Sequence, residues 1–235
     1  MKELLIAWLV WAMNSMAPAH RTHVVPEAVE SFEQADTRYT EIASAVVDVA
    51  FDETEAPLFI GANARSRMAM FLINKFYFES GFRRDVQYGD GRARYAESGL
   101  NDHGRSWCLG QLNLGKRAVL IDGKWSEDSK ATTAEGWTGR ELLDDINKCV
   151  RASLHAMRSS FGMCRGLPLD QRLAVYAAGK CDSDTGKRIS ERRFAAYRRL
   201  WQRSWEYHPK NSDAAILFMI NTPDVSDVLS NLDGD

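Results

Sequence analysis

Glu79 closes a run, 65–78, in which Met68, Met70, Phe71, Leu72, Ile73, Phe76 and Phe78 leave little polar surface. A segment apolar nearly all round is expected as a buried central helix. Ser80 and Gly81 end it, the glycine supplying the left-handed residue that closes many helices. A carboxyl group among Phe76, Phe78 and Phe82 loses solvation of its charged form, so burial favours the protonated acid. Such a group suits general acid catalysis near neutral pH: it hands a proton to a leaving oxygen and, once charged, takes one back.

The stretch that follows, 83–106, is long, rich in glycine and charge, and without periodicity, as expected of a functional loop walling a groove. It carries Asp85, Asp90, Glu97 and Asp102, candidates for a second carboxylate. Beyond it stand Ser106 and Gln111, then Tyr176 in a short apolar segment; Trp107 and Trp125 are large enough to stack on a flat ligand. Nothing points to a metal or a cofactor. The five histidines are scattered, there is no Cys-x-x-Cys, and no phosphate-binding glycine loop or dinucleotide fingerprint is present. The run Asp182-Ser183-Asp184-Thr185-Gly186 faintly suggests a calcium loop, but its glycine comes one position early and no glutamate closes twelve residues.

The elements that must position these groups are predominantly helical. Apolar residues Phe32, Tyr39, Ile42, Val46 and Val49 recur at helical spacing after Pro26. Thr138 and Glu141 form a capping-box pattern ahead of Leu142, Leu143, Ile146, Val150, Leu154 and Met157, predicting one long helix from Thr138 to about Phe161. Shorter helices are expected over 169–178 and, basic on one side, over 190–205, with an acidic and apolar tail after Thr222. The extended exception is 107–114, with 117–121 as its hairpin partner. The fold class is therefore mainly α with a minor hairpin.

At 235 residues the chain suits one sizeable domain with extensions. A net charge of −2 gives no general electrostatic case for nucleic acid, and the arginines over 192–203 read as a solvated face. Lys2 precedes the apolar run 4–13, and Ala17-Pro18-Ala19 follows, which reads as a secretory leader, 1–19, cut after Ala19; the rival is a retained amphipathic or anchoring segment. Export would place Cys108, Cys149, Cys164 and Cys181 where disulfides form, and three pairings are open.

Three segments stand in one order: Phe78-Glu79-Ser80-Gly81-Phe82, then Gly104-Arg105-Ser106-Trp107-Cys108-Leu109-Gly110-Gln111-Leu112, then Ala174-Val175-Tyr176-Ala177-Ala178-Gly179. Together they resemble the soluble lytic transglycosylase family, similar in fold to goose-type lysozyme. That family carries Glu-Ser at the end of a buried helix, a Gly-Leu-Met-Gln stretch, and an Ala-Tyr-Asn-Ala-Gly helix end. The likeness spans 66–201 and departs in two places: Gly110 stands where the family has Met, and Ala177 where it has Asn.

The resemblance implies a lysozyme-like domain over 66–205, flanked by a helical extension, 20–65, and a C-terminal one, 206–235. It implies cleavage of the MurNAc-GlcNAc β-1,4 bond of peptidoglycan in an exported setting, by a bacterial envelope or secretion system or by a phage. Glu79 would be the single catalytic residue, with Ser80, Ser106, Gln111 and Tyr176 at the substrate. Assistance by the N-acetyl group and attack of the sugar's own 6-hydroxyl would give a 1,6-anhydro product without water. A hydrolytic lysozyme would instead need a second carboxylate about 5 to 9 Å away, from Asp85, Asp90, Glu97 or Asp102. A third reading is a non-catalytic glycan-binding or virion structural protein on the same scaffold. The resemblance also favours the pairings Cys108–Cys149 and Cys164–Cys181.

Overall fold

The computed structural model describes residues 2–18, 26–61, 63–91, 105–114, 118–121, 124–127, 132–204 and 207. Glu97 and Asp102, the proposed cut after Ala19 and the tail after Thr222 lie outside the described residues. The chain is mainly helical, with α1 (Lys2–Met16), α2 (Phe32–Ala50), α3 (Ala64–Ser80), α4 (Arg84–Tyr88), α5 (Gly139–Asp144), α6 (Ile146–Met163), α7 (Ala174–Ala178) and α8 (Asp184–Ser204). Among the described residues four short strands are β1 (Ser106–Trp107), β2 (Leu112–Asn113), β3 (Ala118–Ile121) and β4 (Lys124–Glu127).

Helix α3 is the central element, as its composition demands. Met68 through Phe76 are buried without interruption, and α1, α2, α6 and α8 pack around it. Phe71 sits at its middle, 4.7 Å from the Phe194 ring and 5.1 Å from that of Tyr197, both on α8. Helix α2 starts at a reciprocal cap in which Ser31 Oγ accepts from the Gln34 N–H while Gln34 Oε1 accepts from the Ser31 N–H. Its stripe of Tyr39, Ile42, Val46 and Val49 belongs to the same core cluster as α3. The boundary expected at residue 66 is thus no boundary in packing. Helix α1, within the segment read as a leader, buries Leu5, Trp8, Leu9, Ala12 and Met13 in that cluster too. Among the described residues no helix is long and apolar enough to cross a membrane.

Two expected elements are corrected. The helix predicted to run unbroken from Thr138 divides at Asp145, whose extended backbone (φ −134°, ψ 104°) ends α5. Its carboxylate then caps α6 by accepting from the Asn147 and Lys148 N–H groups. The Thr138–Glu141 capping box itself is present. The hairpin pairing also differs: 107–114 folds back on itself, pairing Trp107 with Leu112, while β3 pairs with β4. A turn with φ of 52° at Cys108 and 48° at Gln111 makes that reversal, and neither residue is a glycine that would announce it. Cys108–Cys149 ties this turn to α6, and Cys164–Cys181 ties the end of α6 to the segment after α7.

Candidate functional site

Glu79 and Lys75 lie one turn apart on α3, which places both on one face of the helix. Gly81 ends the helix in the left-handed region (φ 58°), its N–H returning to the Tyr77 carbonyl at 2.9 Å. Phe82 follows with φ 53° although it is no glycine, and is held there by burial. Ser80 secures this double left-handed turn: its hydroxyl donates to the Phe76 carbonyl at 2.8 Å and accepts from the Phe82 N–H at 3.3 Å. The Ser80 hydroxyl, expected at the substrate, is thus engaged with the backbone.

The second motif delivers a carbonyl. Within the turn joining β1 to β2, the Gln111 N–H and its Nε2 both donate to the Cys108 carbonyl at 3.0 Å. This leaves the Gly110 carbonyl to accept from Lys75 Nζ at 2.8 Å and from the Tyr176 hydroxyl at 2.5 Å. A Cβ at 110 would stand 2.0 Å from Ser153 Oγ and 3.0 Å from Lys75 Nζ, so those side chains would have to shift. Tyr176 is positioned by α7, whose N–H at 176 donates to Ser160 Oγ on α6. Its ring also carries the Lys75 ammonium 4.5 Å from the centroid.

Two cations attend Glu79. Arg193, on α8, places Nη1 2.8 Å from Glu79 Oε1, and both side chains are nearly buried. The contact is an ion pair without hydrogen-bond alignment, since Glu79 Oε1 and Arg193 Nε and Nη1 all lack an aligned partner. Asn74 fixes the approach of α8 by donating Nδ2 to the Arg193 carbonyl at 3.0 Å. The second cation is Lys75. Burial pushes its amine down to about 7, Glu79 pulling it back up and Arg193 adding to the fall. Burial also raises the Tyr176 hydroxyl well above the usual tyrosine value, with Glu79 adding to the rise and Arg193 opposing it. The apolar neighbours expected around Glu79 are therefore not the whole setting: Phe76 and Phe82 are buried near the helix end, and an arginine and a lysine share the site.

A groove of about 410 Å³ lies beside this centre, lined by Gln111, Leu112, Leu114, Glu135, His155 and Tyr176 among others. Glu79 is not part of its lining; Tyr176 and Gln111 connect the two. In the groove wall His155 bridges Glu135 and Glu55, with Nε2 2.9 Å from Glu55 Oε1. Arg151 Nη1 and Arg158 Nη2 reach the same Glu55 at 2.6 and 3.1 Å. Burial works to raise the Glu55 carboxyl, but His155, Arg158 and Arg151 hold it below its ordinary value.

The remaining predicted residues are dispersed. Ser106 pairs with Asn113 in the small hairpin, half-buried. Asp85 is fully buried and takes a two-pronged contact from Arg83 Nε and Nη2, and Asp90 takes Arg84 Nη1 at 2.5 Å. Each candidate second carboxylate that the structure describes is thus committed to its own guanidinium. Trp107 packs under the first residue of α5, where a Cβ on Gly139 would meet its ring at 2.0 Å, so it is a core group and not a stacking platform. Trp125 belongs to β4. Sequence reasoning missed Lys75, Arg193 and Ser153. Lys75 had a signal: a lone cation in an apolar run, four residues before Glu79. Arg193 had none, because its pairing spans two distant helices.

No protein-family model matches this chain, and no curated protein or solved structure is detectably similar to it.

Proposed function

We propose that the chain is an exported peptidoglycan lytic transglycosylase of lysozyme-like fold, with Glu79 as its acid and then its base. One observation carries this reading: the helix that ends in the first motif and the third motif both reach one oxygen of the second. The helix of Glu79 sends Lys75, and the third motif sends Tyr176, to the carbonyl of Gly110 in the second. Convergence of that order from segments 35 and 66 residues apart is what a shared site requires. The groove reaching Gln111 and Tyr176 offers apolar and hydrogen-bonding surface of the sort a sugar chain needs.

In this reading Glu79 protonates the glycosidic oxygen, and the substrate's N-acetyl group supports the developing positive charge. Glu79 then removes the proton of the 6-hydroxyl as it closes the anhydro ring. The commitment of Asp85 to Arg83 and of Asp90 to Arg84 favours this single-carboxylate route over hydrolysis. Two disulfides suit an exported protein. A second reading, a glycan-binding scaffold without catalysis, draws on the Glu79–Arg193 ion pair, which occupies the acid.

The deciding experiment digests purified peptidoglycan with the protein and with Glu79→Gln, and weighs the released fragments. Anhydro ends that disappear in the variant, a loss of at least about a hundredfold, are expected. Reducing ends would point to a lysozyme. No release by the unaltered protein would leave the binding scaffold.

A further inference from the structure

Among the described residues Arg193, only 8% exposed, holds Nε and Nη1 without an aligned acceptor, although Glu79 Oε1 lies 2.8 Å from Nη1. Buried guanidinium donors in that state are rare, because each unsatisfied group forfeits its hydration. The planar fork of an arginine is shaped for a carboxylate approached edge-on, and Glu79 meets it off that direction. The guanidinium that Glu79 meets off its hydrogen-bonding directions therefore has donors to offer to a second carboxylate.

We propose that Arg193 is a specificity-determining residue that receives a carboxylate borne on the sugar strand itself, displacing Glu79 from the guanidinium. The inference rests on the glycan-cleaving reading and names its substrate class: strands whose muramic acid lactyl group is free, without an amide-linked peptide. Arg193 touches the acid that would protonate the scissile oxygen. The anion must then lie on the ring at that bond, and the lactyl ether at C3 is where an amino sugar of this type carries one. Release from the guanidinium leaves the Glu79 carboxyl free to act on the scissile oxygen, so that the correct substrate arms the site.

The test is binding of a GlcNAc-MurNAc tetrasaccharide to Glu79→Gln, which does not consume it, as the free acid and as the methyl ester. The acid is expected to bind about tenfold more tightly, as for a hydrogen bond to a charged group. That preference should vanish in Glu79→Gln/Arg193→Gln, in which both members of the ion pair become amides so that neither charge is left alone. Equal binding of acid and ester to Glu79→Gln, or a preference that survives the loss of Arg193, overturns the inference and leaves glycan recognition standing. Failure of both forms to bind overturns the inference and the glycan reading together.

Discussion

Lys75 and Tyr176 donate to the same oxygen, the carbonyl of Gly110, from 2.8 and 2.5 Å. A carbonyl has two lone pairs, so the pair saturates it and locks α3, α7 and the β1–β2 turn together. Tyr176→Phe removes one of the two donors and should cost about 1 kcal/mol of stability. A fall in the denaturation midpoint with the fold intact by circular dichroism is the expected result. An unchanged midpoint would mean that Lys75 alone holds the turn.

Lys75→Met should behave differently. The bond to the Gly110 carbonyl is lost, but so is the desolvation of a buried amine, so the stability change depends on pH, whereas glycan cleavage should drop because the surroundings of Glu79 are altered. The pH profile carries the sign. A lysine held at about 7 when folded, against 10.5 when free, is protonated in the unfolded chain and not in the folded one between those values. Stability should therefore rise with pH from about 7 toward 10, with the full penalty present below 7. Denaturant midpoints at pH 6, 8 and 9.5 should climb for the natural chain and stay flat for Lys75→Met. Parallel profiles would place the titration elsewhere.

Gly110→Ala should destabilise by roughly 1–3 kcal/mol through overpacking, since its Cβ would lie 2.0 Å from Ser153 Oγ. Ser153→Ala removes that atom and leaves the Ser153 Cβ 3.3 Å away. The double variant should then regain part of the lost stability, a positive coupling readable in a double-mutant cycle. Simple additivity would show that the clash is relieved by backbone movement instead.

How much of this was legible beforehand depends on whether the cause is local. The burial and end of α3 follow from its own composition and Gly81, and the cap at Thr138 from a four-residue pattern. The break at Asp145 was hidden because the apolar spacing carries through it; only the side chain's choice to cap α6 divides the helix. The strand pairing was misassigned because left-handed Cys108 and Gln111 look unremarkable in sequence. At the site, the motif order singles out Glu79, Gln111 and Tyr176, while the guanidinium that touches Glu79 comes from α8, 114 residues further on by number (193 − 79). No local pattern records such a pairing.

The two disulfides should separate stability from activity. Opening Cys164–Cys181, 17 residues apart, is expected to cost about 3 kcal/mol in the loop-entropy account, and Cys108–Cys149, 41 apart, somewhat more. The second also frees the turn that presents the Gly110 carbonyl. Cys108→Ser/Cys149→Ser should thus lose cleavage at temperatures where thermal melts still report a folded chain, and Cys164→Ser/Cys181→Ser should keep it. Loss of activity only on melting in both would assign the bonds to stability alone.

Helix α1 places Trp8 edge-on to Trp201 of α8, ring centroids 5.8 Å apart, and both indoles are almost wholly shielded. That gives the N-terminus an optical signature. With α1 seated, these two indoles emit toward the blue end of the tryptophan range; a chain shortened to begin at residue 20 loses one of them and wets the other, shifting emission to the red. A spectrum of the protein recovered from its native compartment therefore reads out whether the first sixteen residues travel with the fold.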